Sequence, residues 1–157
     1  MSTTLHPNAA HVSETLIARG HHGVIVASPE SAHTATEAAG ALGVDVGAIV
    51  KSLVFLLDDE PVLLLVSGSH RVDLPRTGKR LDGALTPAPL DMITTATAQP
   101  VGGVAPLGHP TNLQTFVDSA LGDHRELWAA AGHPSFVFRT TYSELLRITA
   151  GLSVDMD

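Results

Sequence analysis

Two features of this sequence could do chemistry on a ligand: a lysine at the head of an apolar run, and a loop rich in glycine and proline. Lys51 follows Ala48-Ile-Val and precedes the apolar segment Leu53 to Leu57. Its ammonium therefore emerges at the edge of a core, where a charge is costly unless something pairs with it. A surface lysine at a strand start is the commoner source of such a pattern, and a ligand-facing cation is the alternative. The loop is Val101-Gly-Gly-Val-Ala-Pro-Leu-Gly108, framed by Pro100 and His109-Pro110. With glycine at 102, 103 and 108, backbone N–H groups can approach a ligand with no side chain in the way, which suits an anion or a developing oxyanion. The same composition also serves a plain connector. The candidates from this loop are Gly102, Gly103, Val104, Ala105, Pro106 and Gly108.

Other chemistries find less support. The chain has nine histidines but no HxH or HExxH spacing, and the adjacent His21-His22 point in different directions on either regular structure. No metal site or cofactor is called for. No GxSxG occurs, so Ser67 and the following Gly68-Ser69-His70, at the end of an apolar run, read as a polar pocket wall rather than a nucleophile and base. The absence of cysteine rules out a disulfide, a thiolate metal site and a cysteine nucleophile. A cluster of Arg71, Arg76, Lys79 and Arg80, offset only by Asp73, reads either as a solvated helix face or as a contact for RNA phosphates.

These residues need elements to hold them. Asn8 is placed to cap a helix over residues 9–19, with Val12, Leu16 and Ile17 on one face and Gly20 at its end. Residues 23–27 read as a strand. Thr34-Ala-Thr-Glu37 is a capping box that opens a helix closed by Gly43. Leu53–Leu57 and Val62–Val66, joined by Asp58-Asp-Glu-Pro61, read as a hairpin buried on both faces at the sheet centre. Helices are expected over residues 73–81, 87–97 and 143–149, and strands over 112–118 and 135–140. Residues 126–131 have helical propensity, but their shortness and flanking turn residues favour a strand.

At 157 residues, 44% hydrophobic and 16% charged, the chain has the size and apolar content of one domain spanning 1–157. No run of 18 apolar residues and no signal-peptide pattern occurs, so the expectation is a cytoplasmic protein that does not engage a membrane. A net charge of −7 argues against broad neutralisation of a long nucleic-acid backbone, DNA included, and leaves room for a local RNA contact.

Four segments in this order and spacing resemble the YbaK/EbsC family: Thr34-Ala-x-x-Ala-Ala-x-x-Leu-Gly43, Ile49-Val-Lys-Ser-Leu53, Arg71-Val-Asp73 and Gly102-Gly-Val-x-Pro-x-Gly108. The likeness covers about residues 20–150. It implies an α/β fold with a mixed, partly barrel-like central sheet surrounded by helices, and hydrolysis in trans of the ester of mischarged tRNA. The amino acid would be cysteine, alanine or one similarly small, carried on tRNA for proline. By that resemblance Lys51 holds the terminal adenosine's phosphate or the substrate carbonyl, and backbone amides around Gly102 to Gly108, with Gly102 and Gly103 foremost, meet the oxyanion. The cysteine-specific branch has an aspartate in the area of Val137, so the likeness does not extend to that specificity.

Thr34, Val26, Phe55, Ser67, Gly68 and Val104 to Pro106, with Gly108, are the expected substrate-pocket residues, and Arg71, Arg76, Lys79 and Arg80 the expected tRNA contacts. The partners would be an aminoacylated tRNA end and an aminoacyl-tRNA synthetase, with the chain a monomer or weak homodimer. The rival readings are a non-catalytic module that binds a tRNA end or nucleotide in the same groove, and a small-molecule ester or amide hydrolase.

Overall fold

The computed structural model of the chain describes residues 5–28 and 34–157. In chain order its elements are α1 (Pro7–Ala18), β1 (Ile25–Ala27), α2 (Ala35–Leu42), β2 (Ile49–Leu57), β3 (Glu60–Ser67), α3 (Leu74–Arg80), β4 (Leu85–Pro87), α4 (Leu90–Thr97), β5 (Gln114–Asp118), β6 (Leu127–Ala130), β7 (Phe136–Thr140), α5 (Tyr142–Thr149) and β8 (Leu152–Val154). The strands form one mixed sheet in the order β1-β7-β6-β2-β3-β5-β8, with β4 paired to β2 beside this path. This is the mixed α/β architecture expected from the sequence. Among the described residues no helix is long and apolar enough to cross a membrane.

Local chemistry explains most of the boundaries. Thr34 caps α2 by accepting from the Glu37 amide at 3.1 Å, and Gly43 ends it in the left-handed conformation at φ 69°. Asp73 caps α3 by accepting from the Arg76 amide at 2.9 Å. Asp58 and Asp59 take φ of 49° and 68°, so two aspartates make the tight hairpin turn between β2 and β3.

Three expectations need correction. The cap of α1 is His6, whose Nδ1 accepts from the Asn8 amide with Pro7 in the first turn; Asn8 instead donates to the Gly132 carbonyl at 2.9 Å. Gly20 does close the helix as expected: it follows the cap residue Arg19 at φ 82°, its amide donates to the Ile17 carbonyl at 3.0 Å, and the His21 amide donates to the Leu16 carbonyl at 2.9 Å. The helix expected from residue 87 begins at Leu90, because residues 85–87 pair with β2 as a short strand. Lys51 lies inside β2 rather than ahead of it, since Ile49 and Val50 pair in parallel with Trp128 and Ala129 and extend the strand backwards.

The pairing register sorts the side chains. Val50, Val54, Leu63, Leu65, Val117, Ala129 and Phe138 share one face and form the main core with Val12 and Leu16 of α1 and Leu145 and Ile148 of α5. On the other face Val62, Leu64, Val66 and Phe116 pack with Leu85 and Met156, flanked by Leu53 and Phe55. β3 is therefore buried on both faces, as expected. β2 is not: most of its side chains are only half-buried, because a cavity opens beside it.

Candidate functional site

The cavity has a cause in the ladder of β2. Along the edge away from β3, residues 49 and 50 pair with β6 and residues 55 to 57 pair with β4. Between them, residues 51 to 54 have no strand beside them among the described residues. Ile49 directs its carbonyl towards Gly68 on the β3 side, and Asp58 directs its amide towards Ala84 on the β4 side. Backbone direction alternates along a strand, so the amides and carbonyls of Ser52 and Val54 point into the gap. The Ser52 hydroxyl is also buried without a hydrogen-bond partner among the described residues.

The gap opens into a cavity of about 340 Å³, at the lower end of the size range of small-ligand sites. Its walls are β2, the Ala35 and Ala38 face of α2, Ile93 of α4, Trp128 to Ala130 of β6, Val137 of β7, Pro134, and Val101, Gly102 and Val104 of the glycine loop. Lys51 is the one ionisable side chain in that lining among the described residues. Its Nζ donates to the His70 carbonyl at 2.5 Å. Burial, and then the nearby Arg71 guanidinium, push its pKa below the ordinary lysine value, while Asp118 pulls it back up.

The loop opposite is braced from inside. The Gly103 amide closes a turn on the Pro100 carbonyl at 2.9 Å, and the Ala105 amide donates to buried Gln99 at 2.8 Å. The Ala105 carbonyl accepts from His109 Nε2 at 2.9 Å; burial pushes His109 below the usual histidine pKa, so a neutral ring carries that donated proton. Gly102 sits at φ 90°, where a side chain is strained. A Cβ on Gly103 would come within 2.7 Å of the His133 backbone and Pro134, so this glycine lets the loop lie against the 133–134 turn at the cavity rim. Within the loop, Gly103 and Ala105 are committed, whereas no protein group among the described residues accepts from the amides of Val101, Gly102 and Val104, which line the cavity with Ser52 and Val54.

Of the expected site residues, the structure brings Lys51, Gly102, Val104, Thr34 and Phe55 to this cavity. It does not bring the others. Ser67 is buried and donates to the Gly47 carbonyl at 2.8 Å, and Gly68 packs against the Val46 carbonyl. Val26 is outside the lining, although it pairs with Val137, which is in it. Gly103 stands behind the wall, and Ala105, Pro106 and Gly108 turn inward, Gly108 lying over His11 and Val12 of α1.

The basic cluster divides. Arg76 donates to the Asp157 carbonyl, and Arg80 donates to the Asp155 carbonyl and pairs with Asp157 at 3.1 Å, so both are tied to the last residues of the chain. Lys79 is exposed, and Arg71 is exposed and close enough to act on Lys51. Gln99, His109, Ser52 and Trp128 were not singled out in the sequence. Only Trp128, the chain's one tryptophan, carried a signal that could have marked it. Among the described residues no group of three or more acidic or histidine side chains could hold a metal ion.

Residues 29–148 match a family described as the aminoacyl-tRNA editing domain. Among curated proteins, the chain is 33% identical over 92 residues to the proline–tRNA ligase of Latilactobacillus sakei subsp. sakei, which takes 55% of this chain and 16% of the ligase. It is 36% identical over 92 residues to that of Nitratidesulfovibrio vulgaris (strain DP4), covering 57% of this chain and 16% of the ligase. The matched segment is thus about one sixth of those ligases. Among solved structures, a candidate trans-editing enzyme for prolyl-tRNA synthetase superposes with a TM-score of 0.92 at 40% identity, covering 98% of this chain and 99% of the other. A hypothetical protein superposes with a TM-score of 0.84 at 25% identity over 92% of this chain and 97% of its own.

Proposed function

The chain belongs to the aminoacyl-tRNA editing domain family, and from that premise we propose that it is a deacylase acting in trans, which hydrolyses the ester between a small amino acid and tRNA for proline. One observation carries this reading: among the described residues Lys51 is the one charged side chain in a mainly apolar cavity that also holds the Gly102 and Val104 edge of the loop.

An aminoacyl ester is already activated, so hydrolysis needs an oriented water and a stabilised oxyanion rather than a side-chain nucleophile. The water oxygen attacks the carbonyl carbon, and the carbonyl electron pair moves onto its oxygen. Lys51 and the unspent loop amides are the groups to meet that charge, and the dry walls strengthen their effect. Collapse of the adduct breaks the bond to the ribose oxygen, which takes up the proton lost by the water. The products are a free amino acid and a tRNA whose terminal hydroxyl is restored. Lys51 could alternatively hold the terminal adenosine's phosphate, and Trp128 offers an aromatic face for the base.

The lining favours a small, uncharged side chain. Val137, Val104 and Ile93 present apolar surface, and such pockets discriminate by about 1–3 kcal/mol per methylene. Alanine or an amino acid of similar size on tRNA for proline is the substrate class this supports, and the likeness to proline–tRNA ligases favours that tRNA. The test is incubation of the purified chain with a panel of mischarged and correctly charged tRNAs. Release of free amino acid from alanyl- or similarly small-residue tRNA for proline, with prolyl-tRNA spared, is the expected outcome. Binding without release would replace the enzyme with a tRNA-end binding module, and turnover of generic esters unaffected by competing RNA would point to a small-molecule hydrolase.

A further inference from the structure

One buried carboxylate has no part in the chemistry above. Asp118, at the end of β5, is fully buried, and its oxygens are directed at the segment that follows β3 and at the turn after β5. Oδ2 accepts from the Ser67 amide at 3.0 Å and lies 2.8 Å from His70 Nδ1, while Oδ1 accepts from the Ala120 amide at 3.0 Å. An ionised carboxylate only accepts, so the His70 ring is the donor, with its proton on Nδ1. The His70 backbone carbonyl in turn accepts from Lys51 Nζ.

These contacts form a chain from a fixed point in the core to the one cation that lines the cavity among the described residues. β2 and β3 are held by their ladder, but His70 lies in the irregular stretch between β3 and α3, where no strand partner fixes its carbonyl. The lysine stem is long and flexible, so its tip goes where its acceptor is. Two contacts hold that acceptor: the His70 amide donates to the Ser67 carbonyl at 2.9 Å, and the ring is tethered to Asp118 at 2.8 Å. Two charges act on Lys51 besides its burial: Arg71 disfavours the ammonium and Asp118 favours it. No other ionisable side chain lines the cavity among the described residues.

We propose that Asp118 and His70 are positioning residues for Lys51: the buried carboxylate orients the His70 ring, and the His70 carbonyl aims the ammonium along the cavity wall. The kinetic part of this inference rests on the deacylase reading given above; the geometric part does not. Replacing Asp118 with asparagine removes the negative charge and leaves burial and Arg71 unopposed, so Lys51 should lose its proton at a lower pH than in the wild type. Replacing His70 with alanine removes the side-chain tether and leaves only the amide bond to Ser67 to hold the carbonyl, with the charges of Asp118, Arg71 and Lys51 in place.

The chain has only two lysines, Lys51 and Lys79, so reductive ¹³C-methylation gives two side-chain signals, assigned with a Lys51→Arg variant. In folded Asp118→Asn the Lys51 signal should titrate at lower pH than in the wild type. In His70→Ala, kcat for deacylation should fall about 10- to 100-fold with KM within about twofold, the effect expected of a group displaced by about an ångström. His70→Asn, which keeps a donor for Asp118, should recover most of that loss. A Lys51 titration that coincides with the wild type in folded Asp118→Asn would overturn the proposal. So would a His70→Ala variant with wild-type kcat, and this arm decides alone if Asp118→Asn does not fold. Because the titration uses no tRNA, an inactive wild type would sink the deacylase reading and leave the positioning claim to be decided by NMR.

Discussion

At the scale of single residues, Lys51 shows what a sequence can reveal. A cation before an apolar run is conspicuous because burying it is expensive, and that was readable from Lys51 and Leu53 to Leu57 alone. Its acceptor was not, because His70 is nineteen positions away and offers a backbone carbonyl, which has no sequence signature. The lowered pKa gives a prediction with a definite sign. If the ammonium is the working form, enzyme-dependent deacylation must fall as Lys51 loses its proton. Burial places that loss below the ordinary lysine range. With spontaneous ester hydrolysis subtracted, the rate should therefore decline on the alkaline side at a pH lower than a free lysine would give. A rate still rising through pH 10.5, the ordinary lysine value, would contradict it.

At the scale of elements, the outcome depended on who pairs with whom. Residues 126–131 carry helix propensity, yet Leu127–Ala130 is a strand, as the flanking turn residues indicated, because both of its edges find partners in β2 and β7. The start of β2 and the existence of β4 were hidden for the same reason: each depends on a partner distant in sequence. The glycine loop was legible as a tight, side-chain-free bend. What its glycines face was not, and they divide into different tasks. Gly102 supplies a left-handed turn, whereas Gly103 permits contact with the 133–134 turn. Gly103→Ala should therefore lower stability by about 1–3 kcal/mol through overpacking against backbone. At this chain length that is several degrees in Tm, readable by calorimetry. A melting curve identical to the wild type would mean that the loop does not lie against that turn.

For the whole molecule, the cavity belongs to no single segment. It exists because β6 leaves β2 after residue 50 and β4 joins only at residue 55, and because α2, α4 and the loop close over the interval. No local pattern encodes such a gap, which is why Ser52 and Trp128 went unremarked while Lys51 and Gly102 were found. Net charge belongs to this scale too. With −7 overall, and with Arg76 and Arg80 engaged by the chain end, Arg71 and Lys79 are the members of the basic cluster left to meet phosphates. If Arg71, Lys79 and Lys51 are those that do, the slope of log affinity against log salt for an aminoacylated tRNA should be no steeper than about −2, since each contact to single-stranded phosphate adds about −0.7. A slope near −5 in a salt titration would mean about seven phosphate contacts and would contradict an interface limited to these three cations.

The most direct check of the central claim compares amino-acid release by the wild type and by Lys51→Ala on the tRNA the wild type hydrolyses best, with circular dichroism confirming the fold of both. The variant should lose about 100-fold or more in kcat, the scale of losing one oxyanion donor. A correctly folded Lys51→Ala chain that releases amino acid at the wild-type rate would contradict the account.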